Sequence, residues 1–344
     1  MAADVWFAVI ATGLVLYVTL DGYDLGCGIL ALAQRGEARR RSLLELVAPV
    51  WDGNESWILL IAVGLWGGFP AASGALLPAV YPGVIVMIFS LIARGVSIEM
   101  ISNARGWPRG WGSAFIAGSF CAAFAQGTVI GAVVQGVRLG AGGRFTGGTF
   151  GFLSGYSVLT GVVTVALYAL AGAAMVKMRS DDAALRAGCA RWGRGLAPAA
   201  AALVILAAAL LPVAGSPALT IGQPLRVALL TWACVTAAAM FLAAWWSFGR
   251  EDHDNLAFTG VAIAMAAGAA GLLVLLYPMI LPPDLTIARA ASPPSSLEFL
   301  LGGFGTFVPL VFAYNAYAFW VLRPRRTPPD PALASHEPPG NATR

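Results

Sequence analysis

Trp51-Asp52-Gly53-Asn54-Glu55-Ser56-Trp57 places two carboxyl groups, an amide and two indoles inside an otherwise apolar run. Earlier in the chain stands a stretch of the same kind, Asp21-Gly22-Tyr23-Asp24-Leu25-Gly26-Cys27-Gly28, and later come Arg94 and Glu99. A charged side chain at the centre of a membrane helix costs about 2.5–3.5 kcal/mol on insertion scales. A chain that keeps Asp21, Asp24, Asp52, Glu55, Arg94 and Glu99 in such surroundings is expected to use them.

The composition sets the solvent. Of 344 residues, 58% are hydrophobic and only 11% charged. Soluble domains carry about 25% charged residues, so the expected class is an all-α polytopic membrane protein. The net charge of +4 is modest and needs no nucleic acid to explain it. The opening Met1-Ala2-Ala3-Asp4 has no basic n-region, so the first apolar span is expected to stay in the membrane rather than be cleaved. Cys27, Cys121, Cys189 and Cys234 form no CxxC pair and are read as small membrane residues, not as a disulfide frame or metal site.

Runs of about 20 mainly apolar residues can cross a bilayer. They are expected at 4–33, 43–67, 70–101, 112–137, 150–177, 197–214, 225–248, 256–281 and 297–322, giving nine transmembrane helices in a single domain, 1–323. The Pro-rich, arginine-bearing run 324–344 is expected to be a disordered cytoplasmic tail. Lys and Arg in short loops mark the cytoplasmic side. Arg35, Arg39, Arg40, Arg41, Arg105, Arg109, Lys177, Arg179, Arg186, Arg191, Arg194, Arg250, Arg323, Arg325, Arg326 and Arg344 fall on one side. The other side holds only Arg138, Arg144, Arg226 and Arg289. The N-terminus is therefore expected outside, in the periplasm, and the C-terminus in the cytoplasm, which an odd number of crossings requires.

On this orientation Asp21 and Asp24 lie past the middle of span 1, toward the cytoplasm. Asp52 and Glu55 lie roughly 15 Å into span 2 at 1.5 Å per residue, and Arg94 and Glu99 near the inner end of span 3. Each acid pair is three residues apart and shares a helix face. Protonatable groups lined up from the cytoplasmic surface to mid-membrane are what a proton relay needs. Arg94 does not face Glu99 on an ideal helix, so its partner is expected on span 1 or 2. The plainer alternative is that these acids only bond across helices and fix their packing. Trp51 and Trp57 likewise read as bulky fillers or interfacial anchors as readily as functional groups.

No expected span contains histidine, the usual ligand of membrane haem. His253 falls in a charged loop and His336 in the tail. No nucleophile–base pair, P-loop or metal-ligand cluster is visible. The chain alone is therefore expected to hold no catalytic residue, haem ligand or metal. A proton-coupled secondary transporter also fits acids that face a cavity. However, the acids occupy only the first three spans, whereas transporters place sites between two repeats.

Thr19-Leu20-Asp21-Gly22-Tyr23-Asp24-Leu25-Gly26-Cys27-Gly28, then Pro49-Val50-Trp51-Asp52-Gly53-Asn54-Glu55-Ser56-Trp57, then Phe69-Pro70, resembles subunit II of the cytochrome bd-type quinol oxidases. Arg94 followed by Glu99 resembles the family's third span. Tyr23 and Cys27 depart from the usual Phe and small apolar residue, and Glu55 and Glu99 stand where some members have Gln and Asp. The likeness is specific over roughly 10–105.

It implies a multi-pass protein of the bacterial inner membrane, paired with a subunit I that carries haem b and haem d and oxidises quinol. It implies that Asp24, Asp52, Arg94 and Glu99, with Asp21 and Glu55 beside them, match a cytoplasmic proton path, and that Trp57 matches the mouth of an oxygen path. A structural quinone, small single-span accessory subunits, bound membrane lipid and a cyanide-insensitive subtype are all compatible with it.

Overall fold

A computed structural model describes residues 1–140, 145–214 and 224–321, and the chain is helical almost throughout. The helices are α1 (Ala2–Ala31), α2 (Glu37–Val47), α3 (Trp51–Gly68), α4 (Pro70–Ser102), α5 (Arg109–Gln135), α6 (Gly155–Arg179), α7 (Ala183–Leu210), α8 (Pro224–Phe248), α9 (Asp254–Leu276), the short α10 (Ile287–Ala290) and α11 (Pro294–Val321). The chain forms two compact units, Met1–Gly305 and a second that begins at Thr306. The site described below lies in the first. The expected tail, 324–344, lies outside the described residues.

Among the described residues, eight helices are long and apolar enough to cross a membrane: α1, α4, α5, α6, α7, α8, α9 and α11. The second expected span is the exception, and its boundaries differ from expectation. The run 43–67 is broken into α2 and α3. Pro49 has no N–H to give to a continuing helix. Val50 leaves helical geometry at φ −129°, and its N–H donates to Val47 O at 3.0 Å. Asp52 therefore sits in the first turn of a new helix, not some way along a continuous one, and the depth estimated from a single span does not apply.

Two further boundaries move. α7 starts at Ala183, well before the expected 197, because Asp182 caps it: its carboxylate accepts from the Ala184 and Leu185 N–H groups at 2.8 and 3.0 Å. Arg186, Arg191 and Arg194 thus lie on a helix rather than in a loop. The eighth expected span, 256–281, ends at Leu276. Met279–Leu281 (β1) then pairs antiparallel with Leu285–Thr286 (β2), a small hairpin in an otherwise helical chain.

Two helices form the centre. Every residue of α1 from Asp21 to Gly28 is buried, as is every residue of α6 from Tyr168 to Lys177. α1 packs against α3, α5, α6 and α9. In lipid there is no hydrophobic force between helices, so close approach through small residues supplies the contact energy. α1 and α6 touch at Gly26 and Gly172. A Cβ on Gly26 would stand 1.9 Å from Tyr168 O, and one on Gly172 would stand 2.4 Å from Gly26 C.

At the other end of α1, Trp6 is fully buried and its indole N–H donates to Gly64 O at 2.9 Å, joining α1 to α3.

Gly26→Ala forces the two central backbones apart, and overpacking of this kind costs about 1–3 kcal/mol. The expected outcome is a clear fall in the thermal midpoint of the chain purified in mild detergent. Gly74→Ala, which would meet no atom within 4 Å, is expected to melt with the unsubstituted protein.

Candidate functional site

The second half of α1 presents Tyr17, Asp21 and Asp24 at four- and three-residue spacing, one face of a helix. α3 supplies Asn54 and Glu55, and α4 supplies Arg94. Arg94 and Asp21 are wholly buried and Asp24 is 1% exposed. One guanidinium nitrogen of Arg94 lies 2.9 Å from Asp21 Oδ1, and the other donates to Glu55 Oε1 at 2.8 Å. Arg94 therefore ties span 1 to span 2, as expected for its partner. Beside this pair, the Asn54 amide donates to Asp24 Oδ2 at 2.7 Å. Asp24 Oδ1 is buried without a hydrogen-bond partner. Glu55 keeps 20% of its side chain exposed, which makes it the open edge of the cluster.

Glycines make room for these groups. A Cβ on Gly118 of α5 would stand 2.7 Å from Ser90 O and 3.3 Å from Arg94 Cβ, so α5 closes directly over Arg94. A Cβ on Gly95 would meet the Trp51 ring at 2.8 Å. Backbone and indole thus close the site on these sides, and Glu55 stays at its open edge.

The sequence-predicted residues divide. Asp21, Asp24, Glu55 and Arg94 come together. Asp52 and Glu99 do not join them: both side chains are exposed on the isolated chain. Helix rotation explains it. Asp52 stands about 200° round α3 from the buried Asn54, and Glu99 about 140° round α4 from Arg94, at 3.6 residues per turn. Trp57 is buried on the same side of α3 as Asn54.

Sequence reading missed three groups. Gln126 of α5 donates to the Tyr17 hydroxyl at 2.6 Å and accepts from the Tyr168 hydroxyl at 2.9 Å, all three being buried or nearly so. The available signals were the turn spacing of Tyr17 from Asp21 and an amide alone in the apolar run of α5. It also missed a second ionic cluster. Lys177, 3% exposed, donates to Asp254 Oδ1 at 2.6 Å and to Arg250 O at 2.8 Å, and Arg186 pairs with the other Asp254 oxygen.

Comparison with known proteins places this geometry in context. The family model described as cytochrome bd terminal oxidase subunit II matches residues 2–322. The chain is 26% identical to the cytochrome bd ubiquinol oxidase subunit 2 of Bacillus subtilis, over 95% of this chain and 98% of that one. It is 28% identical to the cytochrome bd-I ubiquinol oxidase subunit 2 of Escherichia coli, over 51% of this chain and 48% of that one. Its fold is similar to a chain of the bd oxidase from Geobacillus thermodenitrificans, with a TM-score of 0.73 and 17% identity, covering 94% of this chain and 99% of that one.

Among the described residues, Arg94 is the only cation ion-paired with the acids around it. Removing one partner of a buried ion pair costs about 3–5 kcal/mol. Arg94→Gln is expected to prevent stable accumulation of the chain. Arg94→Lys, a point charge that cannot fork to Asp21 and Glu55 together, is expected to fall between. Yield and thermal midpoint in detergent measure both.

Proposed function

The chain belongs to the cytochrome bd terminal oxidase subunit II family, and from that premise we propose that it is the haem-free subunit of the oxidase and carries a proton path from the cytoplasm. It is a multi-pass protein of the bacterial inner membrane and part of an oxidoreductase complex. The partner, subunit I, would hold haem b and haem d, take electrons from quinol and reduce oxygen to water. The donor set of this chain suits that division. It has two histidines. His253 occupies the position just before α9 without a side-chain capping hydrogen bond, its ring edge-on to Trp246 at 4.9 Å. His336 lies outside the described residues.

The observation that carries the proposal is the buried cluster on α1, α3 and α4. Three carboxyl groups, Asp21, Asp24 and Glu55, surround one guanidinium. Uncompensated charge in a low-dielectric interior is costly, so protons must make up the balance. A cluster whose charge is balanced by protons can accept and release them. Glu55, at the open edge, is the entry. Asp24, with one oxygen unpartnered, is the inner exchange point. Asp52 and Glu99, exposed on the isolated chain, are proposed as the outer antenna of the same path. Trp57, buried on α3 beyond Asn54, is proposed to line an oxygen path.

We propose nine crossings, with α3 as the ninth. Its 18 residues give about 27 Å at 1.5 Å per residue, close to the roughly 30 Å of a hydrocarbon core. Its polar first turn lowers its hydropathy below that of its neighbours. The basic residues then put the N-terminus outside and the C-terminus in the cytoplasm. Small accessory subunits, a structural quinone and lipid are further partners that the family reading allows.

Tagged chain drawn from native membranes is expected to bring with it a larger membrane subunit and the absorbance of haem b and d. A colourless single chain that stays folded would refute the oxidase assignment. Asp24→Asn is expected to lower quinol-dependent oxygen uptake at least tenfold while haem per complex stays near normal. Loss of haem together with activity would instead make Asp24 a packing group, and full activity would remove it from the path.

A further inference from the structure

The Tyr17–Gln126–Tyr168 chain lies against the proton cluster, and its hydrogen bonds have a direction. Tyr168 donates its hydroxyl hydrogen to Gln126 Oε1 at 2.9 Å, and the Gln126 amide donates to the Tyr17 oxygen at 2.6 Å. A primary amide can only donate through nitrogen and accept through oxygen. With its oxygen occupied by Tyr168, Gln126 presents a donor to Tyr17, and the Tyr17 hydroxyl hydrogen is left to point elsewhere. One turn along α1, on the same helix face, stands Asp21. Asp21 is ion-paired to Arg94 at 2.9 Å, yet neither of its oxygens accepts a well-formed hydrogen bond. A spare donor and an unfilled acceptor therefore share one helix face.

We propose that Tyr168, Gln126 and Tyr17 form a one-way hydrogen-bond chain ending on Asp21, which anchors Asp21 as the charged partner of Arg94 and leaves Asp24 and Glu55 to exchange protons. This rests on the proton-path reading above and divides its acids into a fixed one and two mobile ones.

The groups around Asp21 come from six helices. α1 contributes Tyr17 and Asp24, α3 Glu55, α4 Arg94 and α6 Tyr168. α5 contributes the uncharged Gln126, and α9 brings up Met265. Gly22, beside Asp21, is what admits the chain: a Cβ there would stand 2.8 Å from both the Tyr168 ring and Met265. Tyr17 is thus a positioning residue that acts through Asp21. A buried hydrogen bond to a charged acceptor is among the stronger ones, so its removal has a measurable effect on protonation.

The test uses the whole oxidase, purified with its partner subunit and normalised to haem, with oxygen uptake from a soluble quinol followed across pH. Tyr17→Phe removes one oxygen atom and keeps the ring. It is expected to move the acid limb of the profile to higher pH by about one unit, equivalent to a tenfold change in equilibrium. Tyr168→Phe frees Gln126 to turn its oxygen toward Tyr17, and is expected to shift the limb the same way by less. Infrared spectra of the same samples are expected to show a protonated-carboxyl band that persists to correspondingly higher pH.

Profiles and spectra that superimpose on the unsubstituted enzyme would overturn the inference. Should Tyr17→Phe fail to assemble, the Tyr168→Phe result decides it alone. Asp21→Asn separates the two levels. If it leaves rate and profile unchanged, the anchoring role of Asp21 falls, while the proton-path reading is decided by Asp24→Asn. If it alters them while neither tyrosine variant does, only the directed chain is lost.

Discussion

A guanidinium that is wholly buried in a membrane protein must find its counter-charges on other helices, and Arg94 finds them on two. Asp21 comes from α1 and Glu55 from α3, at 2.9 and 2.8 Å. Both distances require α1, α3 and α4 to meet at one level. That requirement accounts for much of the glycine nearby. Gly118 brings α5 down onto Arg94, Gly95 admits the Trp51 ring, Gly22 admits Tyr168, and Gly26 against Gly172 sets the α1–α6 separation. A larger residue at any of these would separate the groups whose mutual attraction repays their desolvation.

The helical, membrane-spanning character was legible from apolar length alone, because lipid allows few alternatives to a helix. Boundaries were less legible where two signals disagreed. The run 43–67 looks continuous in apolar content, yet Pro49 breaks it, so that α2 and α3 are separate helices. The arginines at 186, 191 and 194 look like a loop, yet Asp182 caps a helix that runs straight through them. Charge density marks membrane side, not secondary structure. A capping residue one position before an alanine run was the better guide.

In the site, sequence identified the acids and the partner helices of Arg94, but not which acids would meet. Spacing of three says that Asp52 and Glu55 share a face only loosely. Which edge turns inward is decided by Asn54 and Trp57, the residues of that turn that are buried. Glu55, about 100° from Asn54, reaches the cluster, whereas Asp52, about 200° away, does not. Tyr17, Gln126 and Tyr168 were invisible for a different reason. A tyrosine in an apolar span reads as a hydrophobe, and its hydroxyl acquires meaning only when a residue from another helix arrives within hydrogen-bonding distance.

The second ionic cluster contrasts with the proposed exchange site. At the α6–α9 junction, Lys177 and Arg186 divide the two oxygens of Asp254 between them, and Lys177 also meets Arg250 O. Asp254 lies in the first turn of α9, where the helix dipole favours a negative charge. Two cations and a helix terminus hold one acid, both oxygens of that acid are paired, and no proton is needed to balance it. The Arg94 cluster is the inverse, with three acids to one cation and carboxyl oxygens left unfilled. Both join helices, but Asp254 and Arg186 keep 15% and 35% of their side chains exposed, whereas Arg94 and Asp21 are wholly buried. They differ too in the sign of their imbalance: an excess of cation over acid needs no proton, whereas a buried excess of acid over cation is neutralised by bound protons or by a cation from outside the cluster. In the proposed path that role falls to protons.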